Sequence, residues 1–155
     1  GVDTLISIEN LSGSIYNDTL RGNAGANVIY GNDGADIIFG YGGRDTLNGG
    51  AGADRFSYQS TADSTVAASD AIMDFAAGDL IDLSLIDANT TNAAGTNDAF
   101  SANIVAAFTH VAGQLAFTSS GGVGTLSGDV NGDGVADFAI RLAGVTTLAA
   151  AGIVL

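Results

Sequence analysis

Between Gly13 and Ser57 a large apolar residue returns every nine positions, at Leu20, Ile29, Ile38, Leu47 and Phe56. The same period governs the polar positions. Read in nines, the stretch is GSIYNDTLR, GNAGANVIY, GNDGADIIF, GYGGRDTLN and GGAGADRFS, with no residue skipped. Glycine opens each segment, and the fourth place holds Tyr16, Gly25, Gly34, Gly43 and Gly52. The sixth place holds Asp18, Asn27, Asp36, Asp45 and Asp54. Six Gly-rich residues suit a turn, since Gly reaches backbone angles closed to other residues. The three residues around each apolar position suit a short strand, its centre facing in and its neighbours out. One segment is therefore a turn and a strand, and two segments make one coil of a flattened right-handed roll. Leu20, Ile38 and Phe56 on one sheet should face Ile29 and Leu47 on the other across a narrow core. Val28, Tyr30, Ile37, Phe39 and Tyr41 should point outward, covered by the carboxyl-terminal half or by an upstream domain.

Turn chemistry alone does not explain an acidic residue at one place in every nine, although Gly and Asp are common turn formers. A turn with inward carbonyls and one carboxylate is the oxygen set of a hard cation, and Ca²⁺ takes roughly six to eight such oxygens. Segments two apart stack on the same side, so each ion should sit between stacked turns. One stack would use Asp18, Asp36 and Asp54, and the other Asn27 and Asp45. The turn residues Gly31, Asp33, Gly34, Gly40, Gly42, Gly43, Gly49, Gly50, Ala51 and Gly52 complete the candidate set. Sites formed by the third to fifth segments should bind best, because Tyr16 replaces a Gly in the first and Asn27 brings no charge.

The pattern G-G-x-G-x-D-x-U-x resembles the calcium-binding nonapeptide of RTX proteins, which form parallel β-rolls. Ahead of it, Asp3 to Leu11 alternates like a strand and is similar to the D-T-L-x-x-I-E-N-L lead-in of RTX arrays. Counting back nine puts Glu9 at the sixth place and Leu11 at the eighth. After Ser57 the nine-residue period stops. Residues 58–69 read as a polar loop, followed by Asp70-Ala71-Ile72-Met73-Asp74-Phe75 and Gly78-Asp79-Leu80-Ile81-Asp82-Leu83-Ser84. This run resembles the carboxyl-terminal domain of serralysin-type secreted metallopeptidases, and so does the stretch Ala136 to Gly144. The resemblance implies calcium-triggered folding outside the cell, export by a type I secretion apparatus, and an uncleaved signal at the carboxyl terminus. The family tail tends to be Asp followed by bulky apolar residues, whereas this chain ends Gly152-Ile153-Val154-Leu155.

Asn89 to Asn103 reads as a loop or short helix. Gln114 to Thr118, Gly124 to Ser127, Phe138 to Leu142 and Ile153 to Leu155 read as strands of a small antiparallel sheet that caps the roll. The expected fold is thus all-β, with a calcium-binding array over residues 1–57 and a cap carrying the secretion signal over residues 58–155. Asp63 and Asp70 are expected to complete the last ion site beneath Asp54. A further loop, Asp129-Val130-Asn131-Gly132-Asp133-Gly134-Val135-Ala136-Asp137, carries oxygens at Asp129, Asn131, Asp133 and Asp137 and overlaps the EF-hand spacing. Its twelfth place is Ile140 rather than Glu, and it lies between strands, so a calcium hairpin loop and an ion-free tight turn stand level.

Composition narrows the partners. The chain has 155 residues, four Arg, no Lys and seventeen acids, all Asp except Glu9, for a net charge of -13. Such a charge excludes nucleic acid and an anionic membrane surface as partners. No apolar run is long enough to insert in a membrane, and no amino-terminal signal peptide is visible. There is no Cys and no Pro, so a secreted form must be stabilised without disulfides, with calcium the evident means. The opening in mid-motif reads as the carboxyl-terminal piece of a longer chain whose upstream domain is a partner. His110 is the only histidine, and H-E-x-x-H is absent, so a zinc hydrolase site is not expected here. Asp63, Asp70, Asp74, Asp79 and Asp82 could pair for glycoside chemistry, but ion ligation and turn capping account for them, so no enzyme activity is expected of this chain. Two other readings remain open: a polysaccharide-binding or surface-layer module, and a self-assembling element.

Overall fold

A computed structural model describes residues 9–92 and 97–155. The lead-in residues Asp3 to Ile8, and part of the Asn89–Asn103 segment, lie outside the described residues. The nonapeptides fold as their period requires. Strands β1 (Asn10–Ser12), β3 (Val28–Asp33) and β5 (Thr46–Ala51) line one sheet; β2 (Thr19–Arg21), β4 (Ile37–Phe39) and β6 (Arg55–Ser57) line the other. All neighbours among them are parallel, and the register steps by one coil: Leu11 beside Ile29 beside Leu47, and Leu20 beside Ile38 beside Phe56. These eighth-place side chains from Leu20 to Phe56 are all buried, and Ile29, Ile38 and Phe56 are fully so. The outward positions divide: Tyr30 and Ile37 stay exposed, while Val28, Phe39 and Tyr41 are half-covered. On that outer face the Arg21 guanidinium lies 4.2 Å over the Phe39 ring and donates to the Tyr41 hydroxyl at 2.8 Å.

The stack of coils continues where the period in the chain breaks. β7 (Asp70–Ile72) pairs parallel with β5, and β8 (Leu80–Asp82) with β6. Their register places Ile72 beside Leu47 and Ile81 beside Phe56. Residues 58–69 are an insertion between two coils, and the alternation of strands between sheets survives it. Asp70 and Ile72, then Asp79 and Ile81, repeat the sixth-place and eighth-place pairing nine residues apart.

The cap divides between the two sheets. β10 (Gln114–Ser120), β11 (Val123–Asp129) and β12 (Phe138–Ala143) form an antiparallel meander. β12 joins it to the roll by pairing parallel with β7, Leu142 beside Ile72. The short β9 (Ile104–Val105) lies parallel at the far edge, giving an eight-stranded sheet. Behind the meander, Phe100 meets Phe138 edge to face at 5.7 Å, among Leu115, Leu126 and Ile140. The tail departs from the sequence expectation. β13 (Ile153–Val154) is not in the antiparallel sheet but runs parallel beside β8, Ile153 next to Ile81, as the fifth strand of the other sheet. An apolar residue beside an open strand edge completes the core there. Among the described residues no helix is long and apolar enough to cross a membrane.

The narrow core makes a directional prediction. Ile38→Ala should cost about 2–5 kcal/mol, whereas Tyr30→Ser on the outer face should change stability by less than about 0.5 kcal/mol. Denaturant unfolding of both variants in calcium checks this, and equal losses would place Tyr30 in a packed interface.

Candidate functional site: carboxylate ladders in the turns

Each sixth-place residue sits at the end of a turn, and the next coil brings another directly beside it. The rungs are linked by one repeated hydrogen bond, in which the amide of one rung donates to Oδ1 of the next. The first ladder runs Asp18 to Asp36 to Asp54 to Asp79, at 2.8, 2.9 and 3.0 Å. The second runs Asn27 to Asp45 to Asp70, at 2.7 and 2.8 Å. Asp70 therefore stands beside Asp45, not beneath Asp54, and Asp79 holds the place beneath Asp54. Counting coils rather than residues through the insertion gives this order.

The other carboxylate oxygens separate the turns into two kinds. In the first two segments the sixth-place oxygen closes its own turn: Asp18 Oδ2 accepts the Ser14 amide at 2.6 Å, and Asn27 Oδ1 the Asn23 amide at 2.8 Å. In the third to fifth segments the second residue is left-handed, with φ of 77° at Asn32, 64° at Tyr41 and 95° at Gly50. Gly34, Gly43 and Gly52 also have positive φ, which an L side chain rarely tolerates. In these turns Oδ2 of Asp36, Asp45 and Asp54 is buried and accepts no hydrogen bond, and the same holds for Asp70. Asp79 ends its ladder differently, its Oδ2 accepting the Ala76 amide at 2.8 Å.

Space around the open oxygens explains the first-place glycine. A Cβ on Gly31 would collide with Asp36 Oδ2 and with the Gly49 carbonyl oxygen of the next coil. A Cβ on Gly40 would meet Asp45 Oδ2, and one on Gly49 would meet Asp54 Oδ2. Carboxylate and carbonyl oxygens thus converge where a side chain would otherwise stand. Among the described residues no three His, Cys, Asp or Glu side chains gather as a metal cluster, so an ion here must draw on backbone carbonyls. That donor set, all oxygen and part carbonyl, fits Ca²⁺ and does not suit a softer metal.

The electrostatics are those of carboxylates held out of water. Burial pushes the Asp45 carboxyl up to about 6, against the hydrogen bond from the Asn27 amide and with the Asp63 charge adding to it. Burial raises Asp70 further, to about 8, and Asp54 moves in the same direction. Tyr58 is buried beside Asp70 without a well-formed hydrogen bond, and burial and these carboxylates hold its hydroxyl well above the usual range. Asp82 goes the other way: burial would raise it, but hydrogen bonds from Ser84 and the Arg55 ion pair at 2.9 Å outweigh that.

The remaining sequence candidates are placed as follows. Asp63 is buried and caps its own loop, accepting the Gln59 amide at 2.7 Å and the Ser60 hydroxyl at 2.9 Å. The loop from Asp129 to Asp137 does bring its four candidates together, but their oxygens face amides. Asp129 accepts from Asn131, Gly132 and Gly134, Asp137 from Val130 and the Asn131 side chain, and Asp133 from Val135. Asp74 and Asp79 were not among the calcium candidates read from the sequence. Asp74 replaces a first-place glycine and accepts the Gly49 and Gly50 amides at 3.0 and 2.7 Å. The signal for Asp79 was the repeated Asp-x-Ile spacing beyond the insertion.

Stacked parallel coils with an aspartate or asparagine at each turn, closed by an antiparallel meander, define a β-roll of nonapeptide repeats with its terminal cap. The chain belongs to the Peptidase M10 serralysin C-terminal family, whose profile matches residues 3–155. It is 49% identical over 142 residues to Metalloprotease AprA of Pseudomonas entomophila, covering 90% of this chain and 28% of that protein. Among solved structures it is similar to the AlgE6R3 subunit of the Azotobacter vinelandii mannuronan C5-epimerase. That likeness has a TM-score of 0.53 at 25% identity, over 99% of this chain and 86% of the other.

The raised carboxyls set a pH dependence. Asp45 and Asp70 bind protons more tightly folded than unfolded, where Asp titrates near 3.8. Stability of the metal-free fold is thus full below the unfolded value and falls as pH rises through about 6 and about 8. In a chelator, residual strand signal should be larger near about pH 5 than near about pH 8, while calcium affinity should rise over the same window. Circular dichroism across that range checks the sign, and a metal-free signal that grows with pH would contradict it.

Proposed function

We propose that this chain is the calcium-dependent carboxyl-terminal domain of a secreted protein of the serralysin metallopeptidase type. In this reading the repeats of residues 1–57, extended by the rung at Asp70, hold several Ca²⁺ ions, and residues 58–155 cap the array and carry a type I secretion signal. The observation that carries it is the set of four buried, unpartnered Oδ2 atoms, on Asp36, Asp45, Asp54 and Asp70. Native proteins rarely leave a buried carboxylate oxygen without a partner, and the family of the chain supplies the ion. Asp36, Asp45, Asp54 and Asp70 would be the side-chain ligands, with glycine carbonyls such as that of Gly49 beside them. Asp18, Asn27 and Asp79 would hold the turns at the ladder ends. Peptidase chemistry would belong to the upstream part of the parent, and localisation would be extracellular. A polyuronate partner, suggested by the epimerase neighbour, is the weaker reading, since a chain of -13 with four Arg repels a polyanion.

At calcium about tenfold above a site's Kd, each ion adds about 1.4 kcal/mol to the folded state. Three or four sites would then rival the stability of an ordinary domain. The chain should therefore be largely unfolded in EDTA near neutral pH and gain β-structure in millimolar Ca²⁺. Asp36→Ala should raise the calcium midpoint well beyond Asp18→Ala, whose oxygen already has a partner. Circular dichroism titration decides this; unchanged spectra would end the calcium reading, and equal midpoints would end the ladder ranking.

Export is separable from folding. A fusion of residues 57–155 to an inert passenger should leave cells carrying a type I exporter, and removal of the last five residues should abolish that. Intact export of a truncated but destabilised domain would assign the tail a structural role alone.

A further inference from the structure

The two ladders end differently. In the ladder of Asp36 and Asp54, the last rung has both oxygens of Asp79 on backbone amides. In the ladder of Asp45, the last rung keeps Asp70 Oδ2 open and buried. What fixes Asp70 lies on its other side. Its amide donates to Ser64 Oγ at 2.9 Å, and that hydroxyl donates onward to the Ala139 carbonyl at 2.6 Å. The Ala139 amide returns a hydrogen bond to the Ser64 carbonyl at 3.1 Å, and Thr65 bridges to Phe138. Ser64 is buried, with 1% of its surface exposed.

Elsewhere in the ladders a rung's amide donates to the carboxylate of the next coil. No further coil follows Asp70, and Ser64 Oγ takes that acceptor's place. A fourth carboxylate beside Asp45, Asp63 and Asp70 would add a like charge to a buried site. A hydroxyl accepts the amide without charge and still has a proton to give to β12. Alanine at this position would take an acceptor from the Asp70 amide and a donor from the Ala139 carbonyl, at the point where β12 meets β7.

We propose that Ser64 is the positioning residue of the last calcium site in the Asp45–Asp70 stack, linking occupancy of that site to docking of the β10–β12 meander. This rests on the calcium reading given above. Linkage makes the effect reciprocal: an ion at Asp70 strengthens the attachment of β12, and β12 strengthens the ion.

Two measurements on the 155-residue chain test it. Calorimetric calcium titration of wild type, Ser64→Ala and Leu126→Ala comes first, Leu126 being a buried residue of β11, which pairs with β10 and β12 and not with β7. Ser64→Ala should weaken one class of ion by about tenfold, the scale for removing a group that orients a ligand, and leave the others in place. Leu126→Ala should lower the melting temperature while keeping the relative affinities of all ions. The second measurement needs no change at Ser64. In saturating calcium, Asp45→Asn should speed hydrogen exchange at the Ala139 amide more than Asp36→Asn does. Parallel weakening of every ion in both Ser64→Ala and Leu126→Ala, or equal exchange at Ala139 in the two Asn variants, overturns the proposal. A wild-type chain that takes up no calcium is a different result, and overturns the calcium reading itself.

Discussion

A row of like charges cannot be packed at the spacing of adjacent strands without something between them. Neighbouring coils stand about 4.8 Å apart, and two carboxylates at that distance repel by about 3 kcal/mol even at an effective dielectric of about 20. The ladder amides of Asp18, Asn27, Asp36, Asp45 and Asp54 orient the next carboxylate but remove none of its charge. Burial raises the proton affinity of Asp45, Asp54 and Asp70, and the neighbouring carboxylates add to that. With no Lys in the chain and the Arg55 ion pair on the outer face, no side-chain cation relieves it. Everything else in the roll serves this row: glycine clears the space, the apolar eighth place fixes the register, and the cap stops the stack.

The two kinds of turn show how little separates a ligand from a cap. When the second residue of the segment is left-handed, as at Asn32, Tyr41 and Gly50, the sixth-place oxygen stays open. When it is not, as at Ser14 and Asn23, its amide turns in and takes that oxygen. Asn tolerates the left-handed region better than most residues, which suits Asn32. Tyr41 has no such excuse, and its ring stacks on Phe39 at 6.0 Å. A change of backbone at the second residue alone therefore separates an open sixth-place oxygen from a closed one.

The roll and its core were legible because each nonapeptide states its own geometry; Leu20, Ile29, Ile38, Leu47 and Phe56 needed no long-range information. The coil made by β7 and β8 was less legible. Its Asp and Ile keep their places relative to each other, but the insertion of residues 58–69 displaces them from the running count. That displacement put Asp70 in the wrong stack and hid the places of Asp74 and Asp79 in the turns. The parallel docking of Ile153 beside Ile81 was illegible for another reason: pairing across so much intervening chain leaves no period to read. In the loop from Asp129 to Asp137 the residue types allow an ion or a turn, and the amides that donate to Asp129, Asp133 and Asp137 are compatible with both.

Both sheets end on short strands, and β9 and the tail strand β13 have two residues each. A two-residue edge such as β13 offers little template for pairing with another chain. Once docked, Ile153 is buried beside Ile81. On the proposed function this has a kinetic consequence. An apolar tail that serves as an export signal must be accessible to be read, and the folded roll hides it. Reading and folding then exclude each other at the same residue. Inside the cell, with calcium scarce and the carboxylates repelling, the chain stays open and the tail stays legible to the exporter. Outside, neutralising the ladders closes the last coil over Ile153, and the folded domain no longer presents the signal that moved it.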